Sequence, residues 1–365
     1  MMVEAILLII WIGVTAYALF GGADFGAGIW DLLAGGPKRG APVRDQLERS
    51  IGPVWEANHV WLIFVLVYLW TAFPEAFVSI MTTMYIPMML AAFGIIFRGS
   101  AFAFRKWAPS LSRARIMGAA FAGASLLTPA FLGAVVGGVA SGRVPPGNAA
   151  GDPWTSWLNP TSGLGASMAV VVCAYLAAVL TSRDSVRAGD PNLAKYFRVR
   201  ALVAGVVAGA LALAGILVIR VDAPLLFDGL IDGLGLAIIV GSALAGVASL
   251  LLIRSRKYSL ARVGAAIATT LVIWGWGVGQ YPWLLPGYVT VEQGAASDAV
   301  LASLVVAFVA ASLIAVPALL WLFTLTERGD LDEGGGQRPN SSDALLATLG
   351  GDRASAESEG TSLST

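Results

Sequence analysis

The sequence predicts an all-α polytopic membrane protein with nine transmembrane helices, its N-terminus outside and its C-terminus cytoplasmic. Three observations carry this. Mean hydropathy is +0.76, with 57% hydrophobic and 13% charged residues, about half the charge of an ordinary soluble domain. Apolar runs of about 20 residues, the length a bilayer core demands, recur nine times. The loops between them alternate between basic and non-basic, which is the signature of alternating membrane sides.

The first run covers 3–33. Glu4 stands where a cleavable signal would carry positive charge, and the run continues past any cleavage site, so it reads as a span and not a leader. The other runs lie at 51–70, 77–97, 116–140, 161–182, 201–219, 229–253, 263–281 and 299–323. Segment 34–50 holds Lys38, Arg39, Arg44 and Arg49, and 98–115 holds Arg98, Arg105, Lys106, Arg113 and Arg115. Segment 183–200 holds Arg183, Arg187, Lys195, Arg198 and Arg200, and 254–262 holds Arg254, Arg256, Lys257 and Arg262. The intervening loops offer Arg143 and Arg220. The basic loops are therefore assigned to the cytoplasm.

The outer segments 141–160 and 282–298 are rich in Pro and Gly, and their Trp154, Trp157, Tyr281, Trp283 and Tyr288 suit an interfacial aromatic belt. Asp222, Asp228 and Asp232 read as a solvated outer turn. Pro53 starts the second span, where a missing N–H costs little, while Pro87, Pro129 and Pro317 are expected to kink theirs. After Thr326 the composition turns to Gly, Ser, Asp and Glu. The division is thus a transmembrane helical domain, 1–326, and a disordered cytoplasmic tail, 327–365. No short repeat is visible, although a four-plus-four grouping of helices is compatible with the loops.

One histidine (His59) and one cysteine (Cys173) exclude an internal disulfide, a multi-histidine metal site and ligation of several haems by this chain alone. No nucleic-acid partner is expected. Glu56 and His59 sit one helical turn apart in the second span, flanked by Trp55 and Trp61. Ionisable groups so close to lipid are costly to keep and point to function. A Glu-x-x-His pair suits a di-iron bundle only when two such motifs are present. What remains open for His59 is a satisfied buried histidine, bonded to Glu56 or a backbone carbonyl, a proton relay, or, as the least favoured reading, a haem ligand.

The first span carries Gly21-Gly22-Ala23-Asp24-Phe25-Gly26-Ala27-Gly28. The glycines let two helix backbones approach in lipid. Asp24 has two readings, an N-cap if the helix breaks at Gly21-Gly22 or a proton-handling or ion-pair carboxylate. At 1.5 Å per residue Asp24 lies about 14 Å, and Glu56 about 8 Å, from the inner ends of their spans. Arg98 closes the third span at the same face. Together these side chains are a lining for a proton entry path.

These residues carry a resemblance. Gly22-Ala-Asp24-Phe-Gly26-Ala-Gly28 is similar to a family stretch Gly-x-Asp-x-Gly-x-Gly. Ser50-Ile-Gly-Pro-Val-Trp55-Glu56-Ala-Asn58-His59-Val-Trp61-Leu resembles that family's most specific motif, Ser-Ile-x-Pro-x-Trp-(Asp/Glu)-x-Asn-x-Val-Trp-Leu. Phe97-Arg98 resembles its third-helix exit, and Tyr281-Pro282-Trp-Leu-Leu-Pro286 its aromatic-Pro pair before the last helix. The family is subunit II of the cytochrome bd-type quinol oxidases, and the likeness covers most of 1–325. This chain departs from the pattern at Val54, where a polar residue is usual, at His59, where glutamine is common, and in bearing Glu rather than Asp at 56.

The resemblance implies a bacterial cytoplasmic-membrane protein of two four-helix bundles plus one peripheral helix. It implies a heterodimer with subunit I, which holds haem b and haem d and the quinol site, while this chain ligates no haem. The complex is an electrogenic ubiquinol or menaquinol oxidase that reduces O2 to water with cytoplasmic protons. Glu56 lines the proton path, with Asp24 nearby, while Asn58, His59, Trp55, Trp61 and Arg98 are structural or ion-pairing. In some members a quinone fills the subunit II core, and small accessory subunits join the complex. From a different class, broken glycine-rich helices with intramembrane carboxylates also suit a secondary transporter.

Overall fold

A computed structural model describes residues 2–51, 55–105 and 111–328. The expected tail lies outside them from residue 329 onward, and so does Pro53. The last helix runs two residues past the expected boundary at Thr326.

The first span is α1 (Met2–Ala16), a π-helical turn (Tyr17–Gly21) and α2 (Gly22–Leu32) in one continuous rod. Then come α3 (Pro37–Ile51), α4 (Trp55–Ala72), α5 (Pro74–Thr83), α6 (Tyr85–Arg105) and α7 (Leu111–Ala140). The second half holds α8 (Pro160–Arg187), α9 (Pro191–Asp222), α10 (Pro224–Ile231), α11 (Gly233–Arg254) and α12 (Tyr258–Gln280). A hairpin, β1 (Trp283–Leu285) with β2 (Val289–Thr290), precedes α13 (Asp298–Arg328). Among the described residues eight helices are long and apolar enough to cross a membrane. The expected span 51–70 corresponds to α4, whose described apolar part, Asn58–Ala72, is shorter.

Start signals in the sequence set several helix ends. Asn159 accepts a hydrogen bond from the Ser162 N–H, and Asp190 from those of Asn192 and Leu193, each just before a proline at the first helical position. The expected loop 183–200 is thereby reduced to three residues between α8 and α9. Segment 34–50, expected to be a loop, is the amphipathic helix α3, which buries Val43 and Leu47, four residues apart. Pro87 is the third residue of α6 and so lies in its first turn rather than inside the span.

The expected single span 77–97 is divided. α4 stops at Phe73 (φ −136°, ψ 62°), Pro74 starts the short α5, and α6 follows. The same unit recurs 150 residues later: α9 stops at Ala223 (φ −139°, ψ 62°), Pro224 starts α10, and α11 follows. Even the hydrogen bonds across the breaks match, Phe77 N–H to Phe73 O and Phe227 N–H to Ala223 O, both 3.0 Å. This is an internal repeat of which only the proline shows in the sequence.

α1 packs on α4, and α6 on α7. α8 packs on α9, α11 on α12, and α12 back onto α8. α2 lies between α7 and α8. α13 rests on α1 and α4, and its most apolar stretch is 6% buried. One core gathers Phe25, Trp30, Tyr175 and Phe197, and a second gathers Ile6, Phe73, Met84, Leu285 and Leu301.

Asp222 is not the solvated residue expected. It takes a bidentate contact from Arg143 (3.1 and 2.5 Å) and accepts from the N–H and hydroxyl of Thr161 (3.0 and 2.6 Å), so it pins the α7–α8 connection to the end of α9.

Candidate functional site

The site forms where α2, α4, α6 and α7 meet. α6 does not end at Phe97 as the loop assignment required. It continues to Arg105, and Arg98 is buried at 2% exposure. Arg98 is therefore an intramembrane cation and not a loop charge. The basic character of 98–115 rests on Arg105, Lys106, Arg113 and Arg115, whose side chains lie outside the described residues.

Arg98 Nη2 donates to Asp24 Oδ1 (2.8 Å) and to the Asp24 carbonyl (3.2 Å), and its Nε donates to Ser125 Oγ (3.1 Å). Ser125 in turn donates to the Phe121 carbonyl (2.7 Å). The guanidinium lies 5.1 Å from the Phe25 ring centroid and 5.0 Å from that of Phe121, a cation–π setting that steadies a desolvated charge. Asp24 is itself 2% exposed. A buried ion pair survives only when geometry and extra hydrogen bonds offset desolvation, and both are present.

The two readings of Asp24 are now separable. Gly21 and Gly22 are right-handed helical and the rod does not break there, so Asp24 caps nothing. The widened turn just before them does another job. A π-turn displaces carbonyls from their usual partners, and the Phe20 carbonyl accepts from Asn58 Nδ2 on α4 (3.3 Å). Asn58 thus ties the second span to the bulge in the first.

The glycine motif follows from the same close approach. A Cβ on Gly28 would lie 2.1 Å from Ser125 Oγ, the group that holds Arg98, and one on Gly26 would lie 1.8 Å from the Cys173 carbonyl of α8. Only hydrogen fits at either place.

Around the pair lie polar atoms without hydrogen-bond partners among the described residues: Asp24 Oδ2, the Tyr17 hydroxyl and His59 Nδ1. The Tyr17 and His59 ring centroids are 6.2 Å apart, and Phe25 sits 5.7 Å from His59. Tyr17 and His59 are both within electrostatic reach of Asp24 and Arg98. The backbone-bonded histidine that the sequence allowed is not seen at Nδ1. Such orphaned buried groups are rare and call for an explanation. Chemically, a carboxylate with one oxygen unpartnered among the described residues, a phenol and an imidazole form a set that can hold and pass a proton.

The structure brings together Asp24, Asn58, His59 and Arg98. Trp61 packs on Phe64 (6.1 Å). Glu56 lies in the first turn of α4, and its side chain and that of Trp55 lie outside the described residues. Sequence reasoning missed Tyr17, Ser125 and Cys173. Tyr17 precedes Asp24 by seven residues, two helical turns on one face, and that spacing was the available signal. Ser125 had none.

Comparison with known proteins agrees with this architecture. The family model for cytochrome bd terminal oxidase subunit II matches residues 2–326. A Bacillus subtilis (strain 168) protein assigned as a cytochrome bd menaquinol oxidase subunit II is 23% identical over 329 residues, covering 88% of this chain and 94% of its own. A cytochrome bd ubiquinol oxidase subunit 2 from the same organism is 31% identical over 117 residues, 31% of this chain and 32% of that protein. Among solved structures, a chain of the bd oxidase from Geobacillus thermodenitrificans shares the fold, with a TM-score of 0.70, 23% identity, and coverage of 89% of this chain and 98% of that one.

Proposed function

The chain belongs to the cytochrome bd terminal oxidase subunit II family, and from that premise we propose that it carries protons from the cytoplasm into the complex through Glu56 and the Asp24–Arg98 site. Its membership makes it a multi-pass membrane subunit of a quinol:O2 oxidoreductase whose haems lie in its partner, subunit I. The secondary-transporter reading is not favoured by any of these likenesses.

One observation carries the proton reading. A fully buried ion pair leaves its own Asp24 Oδ2 without a partner among the described residues, and beside it the Tyr17 hydroxyl and His59 Nδ1 are likewise without one, all three atoms on the first two spans. A purely structural pair would be expected to satisfy its neighbours. Here Asp24 keeps one oxygen without a partner among the described residues, and the Tyr17 hydroxyl and the His59 ring stand next in line. Glu56, one turn before His59, is the entry group in this proposal. Arg98 holds Asp24 in place and sets the local potential.

The finer architecture belongs to the same proposal. Nine spans arranged as two four-helix bundles and a peripheral α13 are supported by the repeated helix–break–helix unit and by α13's bare apolar surface. The alternation of basic loops supports a cytoplasmic C-terminus, and the setting is a bacterial cytoplasmic membrane. Haem chemistry is assigned to subunit I, since this chain has a single histidine. A quinone in this subunit's core would find hydrogen-bonding groups in Tyr17 and His59 and an aromatic face in Phe25. Small accessory subunits are carried over as part of the proposal.

The test is quinol-driven oxygen consumption by the purified complex carrying Glu56→Gln. The change keeps volume and hydrogen bonding but removes the titrating proton. Turnover should fall at least about tenfold, about 1.4 kcal/mol in barrier, with haem content and heterodimer yield unchanged. Glu56→Asp should keep part of the activity and His59→Gln most of it. Full turnover in Glu56→Gln would sink the proposal, and loss of haem along with activity would make Glu56 structural.

A further inference from the structure

Away from the buried pair, a cavity of about 390 Å³ opens between the end of α8 and the α11–α12 turn. Arg183, Arg187, Arg256 and Lys257 line it. Three candidate spans terminate around it, at Arg187, Arg254 and Tyr258, which places it at a membrane–water boundary. We propose that this groove binds the phosphate of an anionic phospholipid headgroup.

Charge is the first argument. Segments 183–187 and 254–262 carry six cations and one carboxylate, Asp184. Asp184 lies within electrostatic reach of Arg183, Arg187 and Arg262 and offsets part of their charge. Arg256 and Lys257 add two more positive charges on the opposite wall. Basic pockets between spans at a membrane face are the chemistry that anionic headgroups select.

Backbone donors point to the same occupant. Tyr258, Ser259 and Leu260 line the groove as the first turn of the 23-residue α12. Their N–H groups have no acceptor within the helix, and Lys257, at the cap position, makes no side-chain cap. A helix start facing four cations is doubly suited to a phosphate.

The surroundings favour a lipid over a soluble anion. Val186 and Leu260, both in the groove's lining, are each more than half exposed, on the flanks where acyl chains would descend. The turn itself adds a detail. Arg256 adopts φ +60°, while the Lys257 N–H reaches back to Leu252 O and the Arg256 N–H to Ile253 O. That is a helix C-terminus at which glycine is the usual residue. An arginine there costs conformational energy and places a guanidinium at the mouth of the groove.

The same turn supplies a variant that leaves the fold intact. Arg256→Gly removes the cation and suits the backbone, so the thermal midpoint should hold or rise. Purified heterodimeric complex, wild type or variant, would be incubated with phosphatidylglycerol or phosphatidylcholine of the same acyl chains and the retained lipid counted by native mass spectrometry. Wild type should retain phosphatidylglycerol in preference. Arg256→Gly should weaken that retention about fivefold, and Arg256→Gly with Lys257→Gln at least about tenfold, with phosphatidylcholine unaffected. Equal retention of the two lipids by wild type, or undiminished phosphatidylglycerol retention by Arg256→Gly, would overturn the proposal. Displacement of the lipid by millimolar inorganic phosphate would assign the groove to a soluble anion and overturn it as well.

Discussion

Arg98 shows what a single residue can conceal. By sequence it is one of five cations after an apolar run, and it counts as a loop charge. In the fold it is a buried cation held by Asp24, Ser125 and two aromatic rings. Asp24 was legible because a carboxylate deep in an apolar run must have a reason. Arg98 is legible as an ion-pairing residue at the same face, but its burial and its pairing with Asp24 are not, because the sequence places the helix end at the first arginine. Ser125 was invisible, since a serine among alanines carries no signal of its own. The pair makes a separable prediction. Arg98→Met leaves a buried unpaired carboxylate and should destabilise the complex by about 3–5 kcal/mol, and Asp24→Leu should cost about as much. The double replacement, Asp24→Leu with Arg98→Met, should recover most of that loss yet leave oxygen consumption low. Thermal midpoint and turnover of the three variants decide it. A double variant as unstable as the singles would deny that the pair acts as a unit, and full turnover in it would reduce the pair to scaffolding.

At the scale of elements, the spans were readable because apolar length is dictated by the bilayer. Shorter features were not. α3 is too polar to stand out, and its buried Val43 and Leu47 are two residues in a charged segment. The repeated breaks at Phe73 and Ala223 share backbone angles but little sequence, because lipid-facing positions accept almost any apolar residue. The β1–β2 hairpin was read as irregular loop, its Pro and Gly masking a Leu285 that is fully buried. The α7–α8 connection, 141–159, holds one device with a pH signature. Asp152 Oδ1 accepts from the N–H groups of Thr155 (2.7 Å) and Trp154 (2.9 Å) and from the Thr155 hydroxyl (3.0 Å). These bonds, that of Thr155 N–H first, hold its carboxyl below the usual aspartate range. A lowered folded value means the turn is favoured above the ordinary aspartate pKa, about 3.9, and loses that support as pH falls through the lower one. Hydrogen exchange at residues 154–158 should therefore quicken, beyond its intrinsic pH dependence, only in acid. Asp152→Ala should show the faster exchange at neutral pH. A turn equally protected in that variant would contradict the assignment.

For the molecule as a whole, orientation is the premise on which a cytoplasmic proton path depends. It rests on the distribution of charge among loops, a property of the entire chain. Cysteine placed at the exposed Asn148 in the α7–α8 connection should react with an impermeant thiol reagent in intact cells, and cysteine at the exposed Asn192 should react only after permeabilisation. The reverse pattern would invert the path. Given that orientation, the claim that protons enter through this subunit has one direct test. Complex reconstituted in one orientation in vesicles would be reduced by quinol and given oxygen, and the membrane voltage followed in time. Wild type should show a voltage phase from proton entry. The Glu56→Gln complex, with the same haem content, should lose that phase and keep the initial electron-transfer step. An unchanged voltage trace in Glu56→Gln would contradict the account and move proton entry to subunit I.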